Sequence, residues 1–233
     1  MWQEPKTATT KAKVNNMKFS NSSLVDYKKI SPNSTNPRKS MIKKITIHHM
    51  AGNLSVKECG KVFASKARQA SSNYGIDSEG LVGLYVEEKN RAWTSSNAGN
   101  DNEAVTIEVA NDEIGGEWHI SDKALSKLID LCVDICKRNG IASLNFTGDK
   151  SGNLTMHKYF AATLCPGPYL ESKFPYIAQE VNKRLIAKTK HEYAVECACN
   201  LEDKTGLSKA TINWLWTYKY ADDLFIKLWE SME

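Results

Sequence analysis

The chain has 233 residues, of which 41% are hydrophobic and 25% are charged, and these fractions exclude a fibrous or globally disordered protein. Its apolar runs are far shorter than the roughly 20 residues that a membrane helix needs, so we expect no stable membrane insertion. The net charge is only +4, but residues 1–44 carry ten Lys and Arg against two acidic residues, which leaves the remainder mildly acidic. Because nucleic-acid-binding proteins concentrate basic charge on the folded body, we expect no nucleic-acid partner.

Residues 1–41 predict a basic, poorly ordered N-terminal arm, because they are rich in Lys, Ser, Thr, Asn and Pro. Residues 1–16 lack the apolar core of a secretory signal, so we expect synthesis in the cytoplasm without a signal peptide. The arm could approach an anionic wall polymer or membrane surface, or it could be a solvated leader without a partner.

An α/β body is predicted over residues 42–188, where strand and helix patterns alternate. Clusters of β-branched and apolar residues between turn signals predict strands at 44–48, 73–77, 81–87, 104–109 and 154–157. A helix over 56–68 is indicated by the capping box of Ser55 and Glu58. A second helix should begin after Ser121 and stop at Gly140, and a third should cover 169–188.

Residues 189–233 form a different segment, with apolar residues at helical spacing and no strand pattern. We predict a small C-terminal helical module in which Ser208 and Asp222 are candidate N-caps. So short a segment cannot build a large independent core, so it docks on the body, self-associates or binds a partner. Its aromatic residues fit either a wall-binding surface or the module's own core.

The chemistry of the body is concentrated in three places: the pair His48-His49 at the end of a strand, then His157, then Cys165. Two imidazoles and one thiolate are a recognised zinc set that leaves a fourth tetrahedral position open for water. Glu108 lies on a strand otherwise made of Ala, Val, Thr and Ile. Because a carboxylate buried without partners is costly, Glu108 either faces solvent or serves a site.

Five segments of the chain form an ordered set of motifs: ITIHHMAG at 45–52, SSNYGIDSEG at 71–80, AWTSSNAGND at 92–101, AVTIEVAND at 104–112 and TMHKYFAATLCPGPYL at 155–170. Together they resemble the zinc-dependent N-acetylmuramoyl-L-alanine amidases of type 2. That superfamily includes peptidoglycan recognition proteins and phage endolysins, and the overall pattern is similar to endolysins and prophage amidases of Gram-positive bacteria. The resemblance implies a central mixed β-sheet flanked by helices over about residues 42–188.

The resemblance also implies the site residues and the activity. One Zn²⁺ would be bound by His48, His157 and Cys165, with Glu108 acting on the zinc water and Thr163 contacting the transition-state oxygen. The reaction would be hydrolysis of the amide bond between N-acetylmuramic acid and L-alanine. Peptidoglycan is then the substrate, and the enzyme would lyse the wall after release from the cytoplasm.

Three further positions within these segments bear on the site: His49, Ser72 and Tyr74. His48 rather than His49 is the implied ligand, because the family's ligand is the first residue after the hydrophobic strand. His49 and Tyr74 become candidates for lining the substrate cleft, with a core position as the other option for Tyr74. Some family members use a catalytic tyrosine where this chain has Ser72, which increases the dependence on Glu108.

Two other functions compete with the zinc amidase. Cys165 could be a nucleophile activated by His157, as in papain-like wall hydrolases, but His48 and Glu108 would then have no role. A non-catalytic peptidoglycan-binding protein is the other alternative. Such members of the superfamily usually lack a zinc ligand, most often the cysteine, whereas all three ligands are present here.

Overall fold

A computed structural model of the chain describes residues 19–186 and 190–232. The chain divides after Leu185 into two compact units, the α/β body and a C-terminal unit that begins at Ile186. The boundary predicted from the sequence, after residue 188, lies three residues later. Residues 1–18, which form the first part of the predicted arm, lie outside the described residues.

The body is built on a mixed six-stranded sheet with strand order β1-β5-β4-β7-β3-β8. β5 is antiparallel to β4, and the other neighbours are parallel. β2 and β6 form a separate antiparallel pair. The predicted α/β fold with a central mixed sheet is therefore confirmed. The strands are β1 (Tyr27–Lys28), β2 (Ser34–Thr35), β3 (Lys44–His49), β4 (Tyr74–Ile76), β5 (Val82–Leu84), β6 (Arg91–Ala92), β7 (Ala104–Val109) and β8 (Leu154–Met156).

Four helices of the body follow local signals in the sequence. They are α1 (Val56–Ala64), α2 (Ala98–Glu103), α3 (Asp122–Asn139) and α4 (Pro168–Ile186). The Ser55 side chain accepts from the Glu58 N–H and the Glu58 carboxylate accepts in return, so the predicted capping box starts α1. α1 ends earlier than predicted and is followed by a 3₁₀ turn at Lys66–Arg68. Gly140, at φ 67°, ends α3 in the left-handed conformation that glycine adopts readily.

The two faces of the sheet have different chemistry because side chains alternate along each strand. Ile45 and Ile47 of β3, like Val105 and Ile107 of β7, are fully buried in one apolar core with α3 and α4. The residues between them, on the opposite face, are polar. They include Thr46, His48, Thr106 and Glu108. The alternation thus separates a helix-covered apolar face from a polar face that can hold a site.

The prediction of a poorly ordered arm is wrong for residues 19–41, because Arg38 anchors this segment inside the body. Its guanidinium is 1% exposed and donates to the carbonyl oxygens of Glu88, Asn90, Asn102 and Ala104. β1 adds a parallel edge strand beside β5. The polar composition that indicated disorder instead supplies hydrogen bonds to distant backbone groups.

The C-terminal unit contains α5 (Lys190–Thr205), α6 (Lys209–Leu215) and α7 (Ala221–Glu230). Ser208 caps α6 as predicted, with its side chain accepting from the Thr211 N–H. The prediction for Asp222 is wrong: the N-cap of α7 is Tyr220, two residues earlier, so Asp222 lies in the first turn of the helix and contacts His191 Nδ1 at 2.8 Å. A small apolar cluster around the fully buried Phe225 holds the three helices together.

Candidate active site

The candidate site lies at the carboxyl ends of three neighbouring parallel strands of the body. His48 of β3 is directly opposite Glu108 of β7 in the strand register, so both side chains lie on the polar face. His157 follows β8, the strand on the other side of β3. Cys165 lies in the loop that leads to α4. The fold therefore joins residues that are widely separated in the sequence.

The donor atoms of His48, His157 and Cys165 lie within 4.8 Å of one another. The two imidazole centroids are 4.6 Å apart, and the Nε2 atoms of both rings are buried without a hydrogen-bond partner. Burial lowers the pKa of both histidines, most strongly for His48, and so favours the neutral imidazoles that bind metals. This donor set fits a zinc ion.

Cys165 is held at this cluster by a contact to the backbone of β3. Its Sγ accepts the His49 N–H at 3.4 Å. Burial raises the pKa of the Cys165 thiol well above its ordinary value, and the Glu108 charge adds to this effect. Without a metal the cysteine is therefore a protonated thiol, whereas a coordinating cation would favour the thiolate.

Glu108 faces the metal-binding residues as a carboxylate without a hydrogen-bond partner. Its Oε2 atom is fully buried, while the side chain as a whole keeps partial exposure to the cleft. Burial raises the pKa of Glu108 to about 8, and the charge of Arg68 opposes this shift. A carboxyl group that titrates near neutral pH is suited to taking up and releasing a proton.

These residues open into a cleft of about 390 Å³. Thr163 lines it, and the Thr163 hydroxyl oxygen accepts the Cys165 N–H at 3.2 Å, which leaves the hydroxyl proton available to a ligand. His49 lines the same cleft. The other lining residues include Met50, Leu54, Val62, Phe63, Arg68, Trp93 and Ser96. The cleft thus combines polar groups at one end with an apolar wall.

A sequence profile of the N-acetylmuramoyl-L-alanine amidases matches residues 37–168, which is more than half of the chain. The chain belongs to this family. It is an N-acetylmuramoyl-L-alanine amidase, a peptidoglycan hydrolase. The matched range contains every residue of the cluster described above, from His48 to Cys165.

Solved structures share the fold of the amidase at low sequence identity. The PlyG catalytic domain has a TM-score of 0.56 at 16% identity, over 71% of this chain and 97% of that chain. PlyL has a TM-score of 0.54 at 17% identity, over 67% and 96% of the two chains. A mutant endolysin from Bacillus subtilis has a TM-score of 0.52 at 17% identity, over 67% and 99%. No curated protein matches the chain.

His49 lies at the wall of the amidase cleft beside Trp118. Its ring meets Trp118 edge-on at a centroid distance of 5.2 Å. Burial lowers the pKa of His49, and its Nδ1 atom is buried without a hydrogen-bond partner. The sequence did not indicate this neighbour, because Trp118 comes from the loop after β7.

Tyr74 is not part of the cleft, so the prediction that it binds substrate is wrong. It is 0% exposed and lies opposite Ile107 in the strand register, on the apolar face of the sheet. Its hydroxyl donates to Glu88 Oε1 at 2.7 Å and accepts the Ser22 N–H at 2.8 Å. Tyr74 therefore packs in the core, the alternative that the sequence left open.

A buried hydrogen-bond network beneath the two histidines was missed in the sequence. Thr46 and Thr155 each precede a histidine by two residues, and their Oγ1 atoms lie 2.9 Å apart with both side chains 0% exposed. Asn100 of α2 donates to Thr46 Oγ1 at 3.0 Å. The repeated pattern Thr-X-His was the available signal. Arg68 was also missed, because an arginine on an exposed turn has no distinguishing pattern.

Proposed function

We propose that the amidase is a single-zinc enzyme in which His48, His157 and Cys165 bind the metal and Glu108 is the acid-base group. The observation that carries the proposal is the convergence of three donor atoms within 4.8 Å, next to a carboxylate without a partner. When bound, zinc would act as a Lewis acid and lower the pKa of a water molecule in its fourth coordination position.

The side chains of the cleft account for the proton transfers. Glu108 accepts a proton from the attacking water and then donates it to the amine of L-alanine as the amide bond breaks. The Thr163 hydroxyl, whose oxygen already accepts the Cys165 N–H, donates to the oxygen of the tetrahedral species. His49, which packs edge-on against Trp118, forms part of the wall against which the substrate lies.

The proposal is tested by digesting purified peptidoglycan with and without a chelator. New L-alanine amino termini that disappear with the chelator and return with Zn²⁺ are expected. New reducing sugars without new amino termini would contradict the amidase reaction. Metal analysis should give one zinc per chain, lost in Cys165→Ala and kept in Cys59→Ala, which removes a second buried thiol of the same cleft.

A cysteine hydrolase with Cys165 as nucleophile is supported only by the closeness of His157. Nucleophilic cysteines have a lowered pKa, whereas burial and Glu108 raise the pKa of Cys165. Full activity in the presence of the chelator would favour this alternative.

We also propose that the C-terminal unit binds the wall. Its support is a set of exposed aromatic side chains: Trp214 is 70% exposed, Tyr218 55% and Tyr220 53%. The full-length double variant Trp214→Ala/Tyr218→Ala should sediment less with purified walls than the wild type. Tyr176→Ala removes an exposed aromatic residue of the body and is the control. Equal sedimentation combined with a dimeric wild type would favour self-association through these helices.

We further propose that the enzyme acts on the wall after release from the cytoplasm. No helix in residues 19–186 and 190–232 is long and apolar enough to cross a membrane. Expression in a Gram-positive host should lyse the cells only after the membrane has been permeabilised. Lysis before permeabilisation would show that the enzyme reaches the wall by its own route.

A further inference from the structure

Arg68 places a permanent positive charge on the wall of the active-site cleft. It is the last residue of the 3₁₀ turn that follows α1, it is exposed, and it lines the same cleft as Glu108, His157 and Thr163. None of the ion pairs and side-chain hydrogen bonds found in the described part of the chain involves its guanidinium. Arg38 and Arg138, by contrast, donate to carbonyl and carboxylate oxygens of the protein.

The surroundings of Arg68 do not neutralise its charge from within the protein. Leu54, Val62, Phe63 and Ala70 form the neighbouring lining of the cleft. Glu108 is the acidic residue of this lining, and the Arg68 charge is close enough to lower the Glu108 pKa. Glu108 is engaged in proton transfer in the proposed function. Arg68 is therefore available to an anionic group of the ligand.

The chemistry of the substrate decides which anionic group this is. On the sugar side of the scissile amide, the N-acetylated glycan is neutral and the lactyl carboxyl group is itself part of the amide. Carboxylates occur on the peptide side, and the nearest one belongs to the glutamate residue that follows L-alanine. A planar guanidinium binds a carboxylate through two parallel N–H···O bonds, a geometry that fits this pair.

Given the proposed function, we propose that Arg68 binds the carboxylate of the second stem-peptide residue. The peptide then lies along the wall formed by α1 and the 3₁₀ turn. Arg68 also becomes a specificity residue, because bacterial walls carry this carboxyl group either free or as a carboxamide. A carboxamide has no charge and offers an NH₂ group that cannot accept from a guanidinium, so the amidated wall is the poorer substrate.

Two synthetic muramoyl dipeptides test this inference. Both carry L-alanine followed by D-glutamate with the side-chain carboxyl blocked. They differ only in the α-carboxyl group of the D-glutamate, which is free in one dipeptide and a carboxamide in the other. We expect wild-type kcat/KM to be roughly tenfold higher for the acid, as expected for one charge-assisted pair at a partly exposed site. Arg68→Gln should remove this preference: kcat/KM for the acid should fall, mainly through KM, to the value that the same variant has for the amide.

Lys66→Gln is the matched control, because it removes one positive charge from the same turn at a side chain outside the cleft. It should keep the wild-type preference for the acid. Equal losses for both substrates in Arg68→Gln, or a wild type that does not distinguish them, would overturn the inference. A preference lost equally in Lys66→Gln would reduce it to a general effect of charge.

Failure of the proposed function would be distinguishable from failure of this inference. Binding of both dipeptides is also measured by calorimetry in zinc-loaded Glu108→Gln, with and without Arg68→Gln. If Glu108→Gln still turns over, the proposed role of Glu108 has failed, while the KM values for the acid and the amide still report on Arg68. If neither dipeptide binds more tightly with Arg68 present, the inference fails whatever the reaction is.

Discussion

At the scale of single residues, the proposed chemistry depends on Glu108, whose buried Oε2 atom has no hydrogen-bond partner and lies beside the imidazoles of His48 and His157. A buried carboxylate without hydrogen bonds destabilises the protein, so its presence on a strand otherwise made of Ala, Val, Thr and Ile is explained if it serves a site. His48 lies directly opposite Glu108 in the strand register, so the carboxyl group is next to a proposed metal ligand.

Glu108→Gln should abolish most turnover without loss of metal. Gln has the same shape but cannot carry the proton, so we expect kcat on soluble muramoyl peptides to fall by about 100-fold or more. Zinc content should stay at the wild-type value. Glu79→Gln, a change at an exposed carboxylate of the β4–β5 turn, is the control and should have no effect. Near-wild-type turnover in Glu108→Gln would remove this residue from the mechanism.

The same substitution should stabilise the metal-free protein at high pH. The pKa of Glu108 is raised from 4.5 to about 8, so its contribution to stability is full below pH 4.5 and is lost as the pH rises through 8. Chelator-treated Glu108→Gln should therefore be more stable than the wild type at pH 9, by about 1–3 kcal/mol, and equal to it at pH 4. Urea unfolding at both pH values measures the difference. A difference that is the same at both pH values would mean that ionisation is not its cause.

At the scale of secondary-structure elements, a buried hydrogen-bond network links β3, which carries His48, to β8, which ends just before His157. Thr46 and Thr155 are register partners on neighbouring parallel strands, and their hydroxyl groups meet in the buried layer covered by α2. Because each threonine lies two residues before a histidine, the alignment of the pair sets the relative height of both imidazoles.

Thr155→Val should weaken zinc binding by about tenfold, because it keeps the shape of the side chain but removes the hydroxyl bond to Thr46. Thr155→Ser, which keeps the hydroxyl, should restore most of the affinity. Competition with a chromophoric chelator measures both variants. If Thr155→Val lowers the stability of the metal-free protein but binds zinc as the wild type does, the network supports only the fold.

The elements that the sequence predicted are those with local signals. β3 and β7 carry β-branched alternation, while α1 and α3 begin at serine caps, and the structure contains all four. The three predicted metal ligands could be named from the sequence because two imidazoles and a thiol are a recognised zinc set, and the structure brings their donor atoms within 4.8 Å of one another. β1 and β2 could not be predicted from local signals. The segment that contains them is held in place by Arg38, which donates to carbonyl groups 50 or more positions away in the sequence. The contact of Arg68 with the cleft likewise depends on tertiary structure alone.

At the scale of the whole molecule, the described chain consists of two units with separate cores. The body is centred on the sheet and on Phe174 of α4, whereas the C-terminal unit is centred on Phe225, whose ring lies 4.4 Å from that of Trp216. Separate cores allow each unit to lose structure without the other.

Phe225→Ala and Phe174→Ala should therefore each destabilise a different unit. Each substitution removes a fully buried ring and should cost its own unit about 3–5 kcal/mol. Phe225→Ala should expose the amides of α5–α7 to hydrogen exchange while turnover of a soluble muramoyl dipeptide is kept. Phe174→Ala should expose amides of the body and reduce turnover. Loss of protection in both units from either change would show that they unfold as one.

The order of the strands along the chain has a consequence for biosynthesis. Five of the six strands in the large sheet come from residues 27–109, and they carry His48 and Glu108, while only β8 comes from the second half of the body. A nascent chain can therefore pair most of its sheet on the ribosome before His157 and Cys165 have been translated. The proposed active site is completed only when Cys165 has been translated, so a translation product that ends before His157 would lack two of the three proposed metal ligands.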